Sequence, residues 1–275
     1  MVIFREAERY NVSLFRMITI NYWVCVACGI AFTDDFWTVV EHSPKDWLPL
    51  AILQGCLFIS LFFLIGQASQ KVGVAYTAMI TKVSVIFPVL IGLLVFNEPM
   101  GIKGYAGIIL ALASIILLHL KYLDRNKGIL TLPLATLLIM STILFFGSGA
   151  TDSIFTIFKH LYDKQIPETI FSIVIFGIAG LIGMSFSIVN ALRNGVFFSR
   201  KELIGGIILG IPNYFSIYFL MDALQYMNAS QLFPVLNISI LLVSGVVGYF
   251  RYREIFKLST WIGMTLAIGA IVLMA

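Results

Sequence analysis

The chain has 275 residues, of which 60% are apolar and only 12% are charged, whereas soluble domains contain about 45–50% apolar and about 25% charged residues. This composition predicts a membrane protein that crosses the bilayer several times. The formal net charge of +4 is spread over short connections and forms no basic tract, which excludes a nucleic-acid-binding domain and a disordered chain.

A helix needs about 20 mostly apolar residues to cross the hydrocarbon core of a bilayer. The sequence contains nine such stretches, and we predict a spanning helix in each, which makes an all-α, polytopic membrane bundle: about 14–33, 48–67, 73–96, 101–120, 131–155, 168–191, 203–224, 230–250 and 258–275. Prolines at positions 88, 212 and 234 fall within predicted spans, where each frees a backbone carbonyl. Broken helices in a membrane commonly line cavities.

The chain also contains an internal repeat. When it is shifted by 156 positions, Glu98 coincides with Glu254 and Gly107 with Gly263, and each pair lies in a connection and following span of the same shape. We therefore predict two repeats, which occupy residues 1–121 and 128–275. Five helices per repeat is an odd number, so the second repeat should lie inverted in the membrane relative to the first.

The repeat register places Met1 where the first of ten helices should be ending, because Ile3-Phe4-Arg5 matches Ile157-Phe158-Lys159. We expect an in-frame apolar helix of about 20–25 residues before Met1. The alternative is a nine-span variant with an incomplete first repeat.

The segment from Pro88 to Asn97-Glu98, with Gly107 in the next span, resembles the signature of the drug/metabolite transporter superfamily, EamA type. In that family a proline-containing fourth helix ends in a Gly/Asn-Glu pair, and the fifth helix carries a central glycine. The resemblance extends over essentially the whole chain through the repeat. It implies two inverted five-helix halves around a central substrate cavity, and export or exchange of small metabolites.

Basic residues are unevenly distributed among the connections. If the first helix is counted as present, thirteen lysines and arginines lie in odd-numbered connections and only four in even-numbered ones, namely Lys45, Lys103, Lys159 and Lys164. Because basic loops stay in the cytoplasm, this bias places Ala275 outside, whereas the resemblance implies cytoplasmic termini. We expect the location to be the bacterial cytoplasmic membrane.

A reporter fused after Ala275 tests the orientation. We expect an enzyme that is active only outside the cytoplasm to be active at this position, because the charge bias is large. A cytoplasm-only reporter that is active there would show that the family orientation prevails.

Two charged residues lie deep inside predicted spans, where a charge costs at least ~2.5–3.5 kcal/mol and therefore normally faces the bundle interior. Lys82 is a candidate cation for an anionic substrate group or a proton. Asp152 follows the glycine-rich segment 147–149 and is a candidate proton relay. The alternatives are a structural ion pair between the two residues or a lysine that extends to the interface. Residue counting puts the two roughly 10 Å apart in depth.

Polar side chains at helical spacing extend the predicted site. They lie within predicted spans and could line a substrate cavity, although helix packing uses the same residue types: Thr77, Thr81, Ser84, Asn237, Tyr214, Tyr218, Asn21 and Gln54. In the repeat register Thr81 coincides with Asn237.

We predict a secondary transporter that moves a small metabolite, for instance an amino acid or a related compound, out of the cell by alternating access. A non-transporting membrane scaffold or sensor and an intramembrane enzyme are the alternatives. No metal-binding His-Glu pattern and no nucleotide-binding loop occur, and the three cysteines lie in apolar stretches, so we predict no cofactor, no metal and no catalysis. The expected partners are a small-molecule substrate and the lipid bilayer, without nucleic acid, and a homodimer remains an open alternative to a monomer.

Overall fold

The computed structural model describes residues 2–33, 36–72, 74–125, 134–195, 198–252 and 258–274. Glu254, the repeat partner of Glu98, lies outside these ranges. Within them the chain is helical and no strand occurs. The helices are α1 (Val2–Arg9), α2 (Leu14–Ala31), α3 (Phe36–His42), α4 (Leu48–Lys71), α5 (Val74–Val83), α6 (Ile86–Leu90) with a following π-helical turn (Ile91–Val95), α7 (Ile102–Arg125), α8 (Leu134–Tyr162), α9 (Glu168–Asn194), α10 (Arg200–Tyr226), α11 (Ala229–Tyr252) and α12 (Leu258–Met274).

Each predicted apolar stretch contains a helix, and the third stretch is divided into α5, α6 and the π-helical turn. In the described part of the chain, α2, α4, α8, α9 and α10 contain segments long and apolar enough to cross a membrane, and the other predicted stretches contain shorter apolar helices. The predicted all-α membrane architecture is confirmed. The short helices α1 and α3 lie outside the predicted spans.

The helices form two compact units, and each unit is made of two separate stretches of the chain. The first unit comprises Met1–Gln70 and Ile157–Gln225, and the second comprises Lys71–Thr156 and Tyr226–Ala275. Each unit therefore takes helices from both predicted sequence repeats. The division into repeats 1–121 and 128–275 describes the order along the chain, and it stays a prediction.

In the first unit, α2 packs along α9 around a core of large apolar side chains. Tyr22 of α2 lies against Phe176 of α9, with ring centroids 6.1 Å apart. The close approach of α2 and α9 also depends on Gly183, because a Cβ at this position would lie 2.6 Å from Oγ1 of Thr19. Small residues at such crossings let membrane helices gain packing contacts without a hydrophobic driving force.

The contact between α2 and α10 depends on two glycines four residues apart. A Cβ on Gly210 would lie 2.7 Å from Cβ of Val24 and 2.9 Å from the carbonyl oxygen of Asn21. One turn earlier, a Cβ on Gly206 would collide with Ile20. The spacing is the small-xxx-small pattern that brings two helix backbones together in membranes.

Replacement of Gly210 by alanine should lower the melting temperature of the purified protein. The new methyl group has to displace backbone of α2, which cannot move as a flexible side chain does, and overpacking of this kind costs about 1–3 kcal/mol. Gly177→Ala is the matched control, because no heavy atom lies within 4 Å of its added Cβ and alanine favours the helix. Equal melting temperatures for the two variants would contradict the proposed packing.

In the second unit, α7 and α12 pack extensively against each other. Ala111 on α7 and Ala267 and Ala270 on α12 are fully buried, and a Cβ on Gly269 of α12 would lie 3.5 Å from the side chain of Leu110 on α7. Helix α11 packs against α6, α7 and α12. The second unit thereby holds the broken helix of α5 and α6 beside α11.

Candidate functional site

A local rearrangement of hydrogen bonds marks the break between α5 and α6. Because Pro88 has no N–H, the carbonyl of Ser84 lacks its usual donor and instead accepts a bond from the Phe87 N–H at 3.0 Å. The Ser84 hydroxyl donates to the carbonyl of Thr81 at 2.7 Å. The proline predicted to disturb this span thus coincides with a real interruption of the helix.

The hydroxyls of the predicted polar stripe on and after α5 donate to nearby backbone carbonyls. Oγ1 of Thr81 donates to the carbonyl of Thr77 at 3.1 Å, and Ser84 bonds to Thr81 as described. The side chains of Thr77 and Ser84 are fully buried. The hydroxyls of Thr81 and of Ser84, which follows α5 in the turn to α6, are therefore engaged with the backbone of α5.

One contact joins two predicted site residues from different helices of the second unit. Nζ of Lys82 on α5 donates a hydrogen bond to Oδ1 of Asn237 on α11 at 2.8 Å. Asn237 is only 4% exposed, and its Nδ2 has no partner among the described residues. Since an ammonium carries three donors, the pair presents N–H groups from both side chains that an acceptor could use.

Asp152 on α8 belongs to the same unit but does not contact Lys82 directly. No ion pair, for which the N···O distance would be at most 4.0 Å, joins these two described side chains, although they interact electrostatically. The hydroxyls of Ser148 and Ser153, on the same stretch of α8, are buried without a partner in the described part of the chain. Gly149 lies directly against the ring of Phe87, so the glycine-rich segment allows close approach to α6.

The remaining candidates lie in the first unit. The ring of Tyr214 stacks on Tyr218 with centroids 6.1 Å apart, and its buried hydroxyl has no partner among the described residues. Oδ1 of Asn21 on α2 accepts a bond from Nδ2 of Asn213 at 3.3 Å. Gln54 is fully buried on α4. Sequence reasoning missed Asn213, although its position between Pro212 and Tyr214 was a signal for it.

Glu98, the acidic residue of the sequence motif, caps helix α11 of the second unit. Its buried carboxylate accepts bonds from the N–H groups of Ala229 at 3.0 Å and Ser230 at 2.9 Å. Two features bring it there: Asn97 has a positive φ of 50°, and Gly92 has no side chain where a Cβ would lie 2.6 Å from Oε2 of Glu98. The motif residue thus neutralises the free N–H groups and the positive end of a helix.

The fold and these residues define a helical membrane protein with a proline-broken helix and a capping Glu98. The EamA-like transporter family matches residues 7–120 and 133–275, and the chain belongs to this family. The resemblance predicted from the motif is thereby confirmed, and the chain is an integral membrane protein with several spans.

Two individual proteins illustrate the relationship. An uncharacterized protein of Haemophilus influenzae is 23% identical over 289 residues, which cover 98% of this chain and 91% of that protein. A solved crystal structure is similar with a TM-score of 0.69 and 13% identity, over 95% of this chain and 88% of that one. The second similarity concerns the fold alone.

Proposed function

We propose that this protein is a secondary transporter that moves a small metabolite bearing a carboxylate across the membrane by alternating access. The observation that carries the proposal is the partly buried hydrogen bond between Lys82 of the broken helix and Asn237. An ammonium inside a membrane span is costly, so it is normally retained for a substrate, an ion or a partner.

The donors of this pair suit a carboxylate. The unpartnered Nδ2 of Asn237 and the remaining N–H groups of Lys82 can both donate to one carboxylate, and bonds to a charged group are stronger than neutral ones. An amino acid or a related compound supplies such a group. Asp152 interacts electrostatically with Lys82 and is the residue that could couple transport to protons.

The predicted inverted repeat supports a site shared by both halves of the sequence. Lys82 and Asn237 are separated by 155 positions, close to the repeat period, so equivalent segments of the two repeats contact each other at this pair. Rocking of the two inverted halves about such a point would expose it alternately to each side. We propose efflux as the physiological direction and, because the relative described above is bacterial, the cytoplasmic membrane of a bacterium as the location.

A stability-shift screen of the purified full-length protein against a metabolite library tests the substrate class. We expect carboxylate-bearing compounds, amino acids among them, to raise the melting temperature, and the best of them to exchange across proteoliposomes in a counterflow assay. The amide analogue of each hit is the control, because it lacks the charge that Lys82 would bind. Binding of amide and acid with equal affinity would overturn the carboxylate assignment, and binding without counterflow would overturn transport.

A further inference from the structure

A cavity of about 350 Å³ lies in the first unit, at the start of α2 and near the end of α9. None of the candidate site residues described above lines this cavity. Its walls are formed by Ser13, Phe15, Arg16, Phe186, Ser187 and Asn190. Both helices are apolar spans, and the cavity lies where one begins and the other approaches its end, which is the level of a membrane–water boundary.

The start of α2 supplies the first set of donors. The opening N–H groups of a helix have no intrahelical partner, and they form the positive end of the helix dipole. Ser13 occupies the capping position of this 18-residue helix, but its side chain makes no capping hydrogen bond. The N–H of Ser13 itself donates to Oε1 of Glu202 at 3.4 Å, so the N–H groups of the residues that follow it are the ones left for a ligand. Helix starts with such N–H groups bind anions readily.

Arg16 supplies the second set of donors, and it is held in place. Its Nε and Nη2 donate to Oε1 of Glu202 at 2.9 and 2.6 Å. Its side chain is 16% exposed, so the guanidinium is fixed and partly accessible, with Nη1 unused in the described contacts. Glu202 offsets the charge of Arg16, and Arg193 lies exposed in the last turn of α9, outside the walls of the cavity.

The independent observation is Ser187. This residue is 3% exposed and lines the cavity, yet its hydroxyl has no partner among the described residues. The nearby Ser185 shows the ordinary alternative, because its hydroxyl donates to the carbonyl of Leu181 at 2.8 Å. A buried hydroxyl without a partner is unfavourable, and a ligand with acceptor oxygens would satisfy it.

We propose that this cavity binds a phosphate group. Its oxygens would accept bonds from the first turn of α2, the free guanidinium N–H groups of Arg16, the hydroxyl of Ser187 and the amide of Asn190. Phe15 and Phe186, with ring centroids 6.3 Å apart, give the same cavity an apolar wall. The phosphate could belong to the headgroup of an anionic phospholipid or to a free phosphate ion.

Three probes distinguish the sources, each added to the purified full-length protein in detergent while the melting temperature is measured. The probes are phosphatidylglycerol, a galactolipid with the same acyl chains and no phosphate, and inorganic phosphate. We expect phosphatidylglycerol to raise the melting temperature and the galactolipid to leave it unchanged. If inorganic phosphate alone produces the full shift, the ligand is the free ion, and if only phosphatidylglycerol produces it, the ligand is the lipid headgroup. No shift with either probe would overturn the proposal.

The variant Ser187→Val removes the hydroxyl and leaves the Arg16–Glu202 pair intact. We expect the half-saturating concentration of the active probe to rise roughly tenfold, as for loss of a hydrogen bond to a charged group. Ser185→Ala is the matched control and should bind as the parent does. If Ser187→Val does not fold, the exposed Asn190→Leu takes its place with the same expectation. An equal response to the galactolipid, or unchanged binding in a folded Ser187 or Asn190 variant, would overturn the proposal.

Discussion

Replacement of Lys82 by methionine should reduce transport by roughly 10-fold to 100-fold while membrane insertion is preserved. Methionine keeps the length and the apolar stem of the side chain but removes the ammonium that bonds to Asn237 at 2.8 Å. Loss of a hydrogen bond that involves a charged group typically changes affinity by this factor. The measurement is the counterflow rate in proteoliposomes, with the substrate identified by the stability-shift screen.

Two further variants separate a functional lysine from a structural one. The exposed Lys164, in the connection between α8 and α9, provides the control Lys164→Met, which should transport at the parental rate. The single variant Lys82→Met leaves the buried carboxylate of Asp152 without a compensating charge, which could impair folding. The double variant Lys82→Met with Asp152→Asn removes both charges and should restore folding in that case. Parental transport by this double variant, with an unchanged pH dependence, would exclude a binding or coupling role for either residue.

Replacement of Glu98 by alanine should destabilise the second unit by about 3–7 kcal/mol, the sum expected for two charge-assisted hydrogen bonds and a favourable helix-dipole interaction. The N–H groups of Ala229 and Ser230 would lose their partner in a buried place that offers little water to replace it. Glu98→Gln should show a smaller loss, since the amide oxygen can still accept one bond while the amide nitrogen faces a donor.

The melting temperature of each purified variant measures this effect. Glu8→Gln on α1 is the matched control. Glu8 is exposed, so its replacement should leave the melting temperature unchanged. A Glu98→Ala variant as stable as the parent would show that the cap contributes little.

The positions of the long helices could be predicted because the bilayer requires a minimum length of apolar chain, and that requirement is visible in composition alone. The helices α1 and α3 could not, since they contain eight and seven residues and their sequences are too short and too polar to indicate a span. The interruption of α5 and α6 was foreseeable from Pro88. Its outcome, a π-helical turn that leads into Asn97 at positive φ, depends on the contact of Glu98 with α11.

Candidate residues for the site could be chosen from the sequence one by one, and their role stays a prediction, but their contacts could not be foreseen. Periodicity shows which side chains share a face of one helix, whereas the faces that meet depend on how the helices pack. The sequence suggested an ion pair of Lys82 with Asp152, whereas the structure joins Lys82 to Asn237, the residue that the repeat register makes equivalent to Thr81. Asn213 was overlooked although its position directly after Pro212 was a signal, because a single amide adds no helical periodicity of its own.

The interleaving of the two units has a consequence for synthesis of the protein. Glu98 finds its partner Ala229 131 positions later, and Lys82 finds Asn237 155 positions later. At about 5–20 residues per second, ribosomes need about 7–30 s to produce these stretches, and throughout that time a carboxylate and an ammonium await their partners at the insertion machinery. The carboxylate and the ammonium would therefore need water or another protein as a partner until the second half of the chain emerges. A pause in translation between the two halves would lengthen this interval. The fraction of chains that assemble correctly should therefore depend on the rate of elongation.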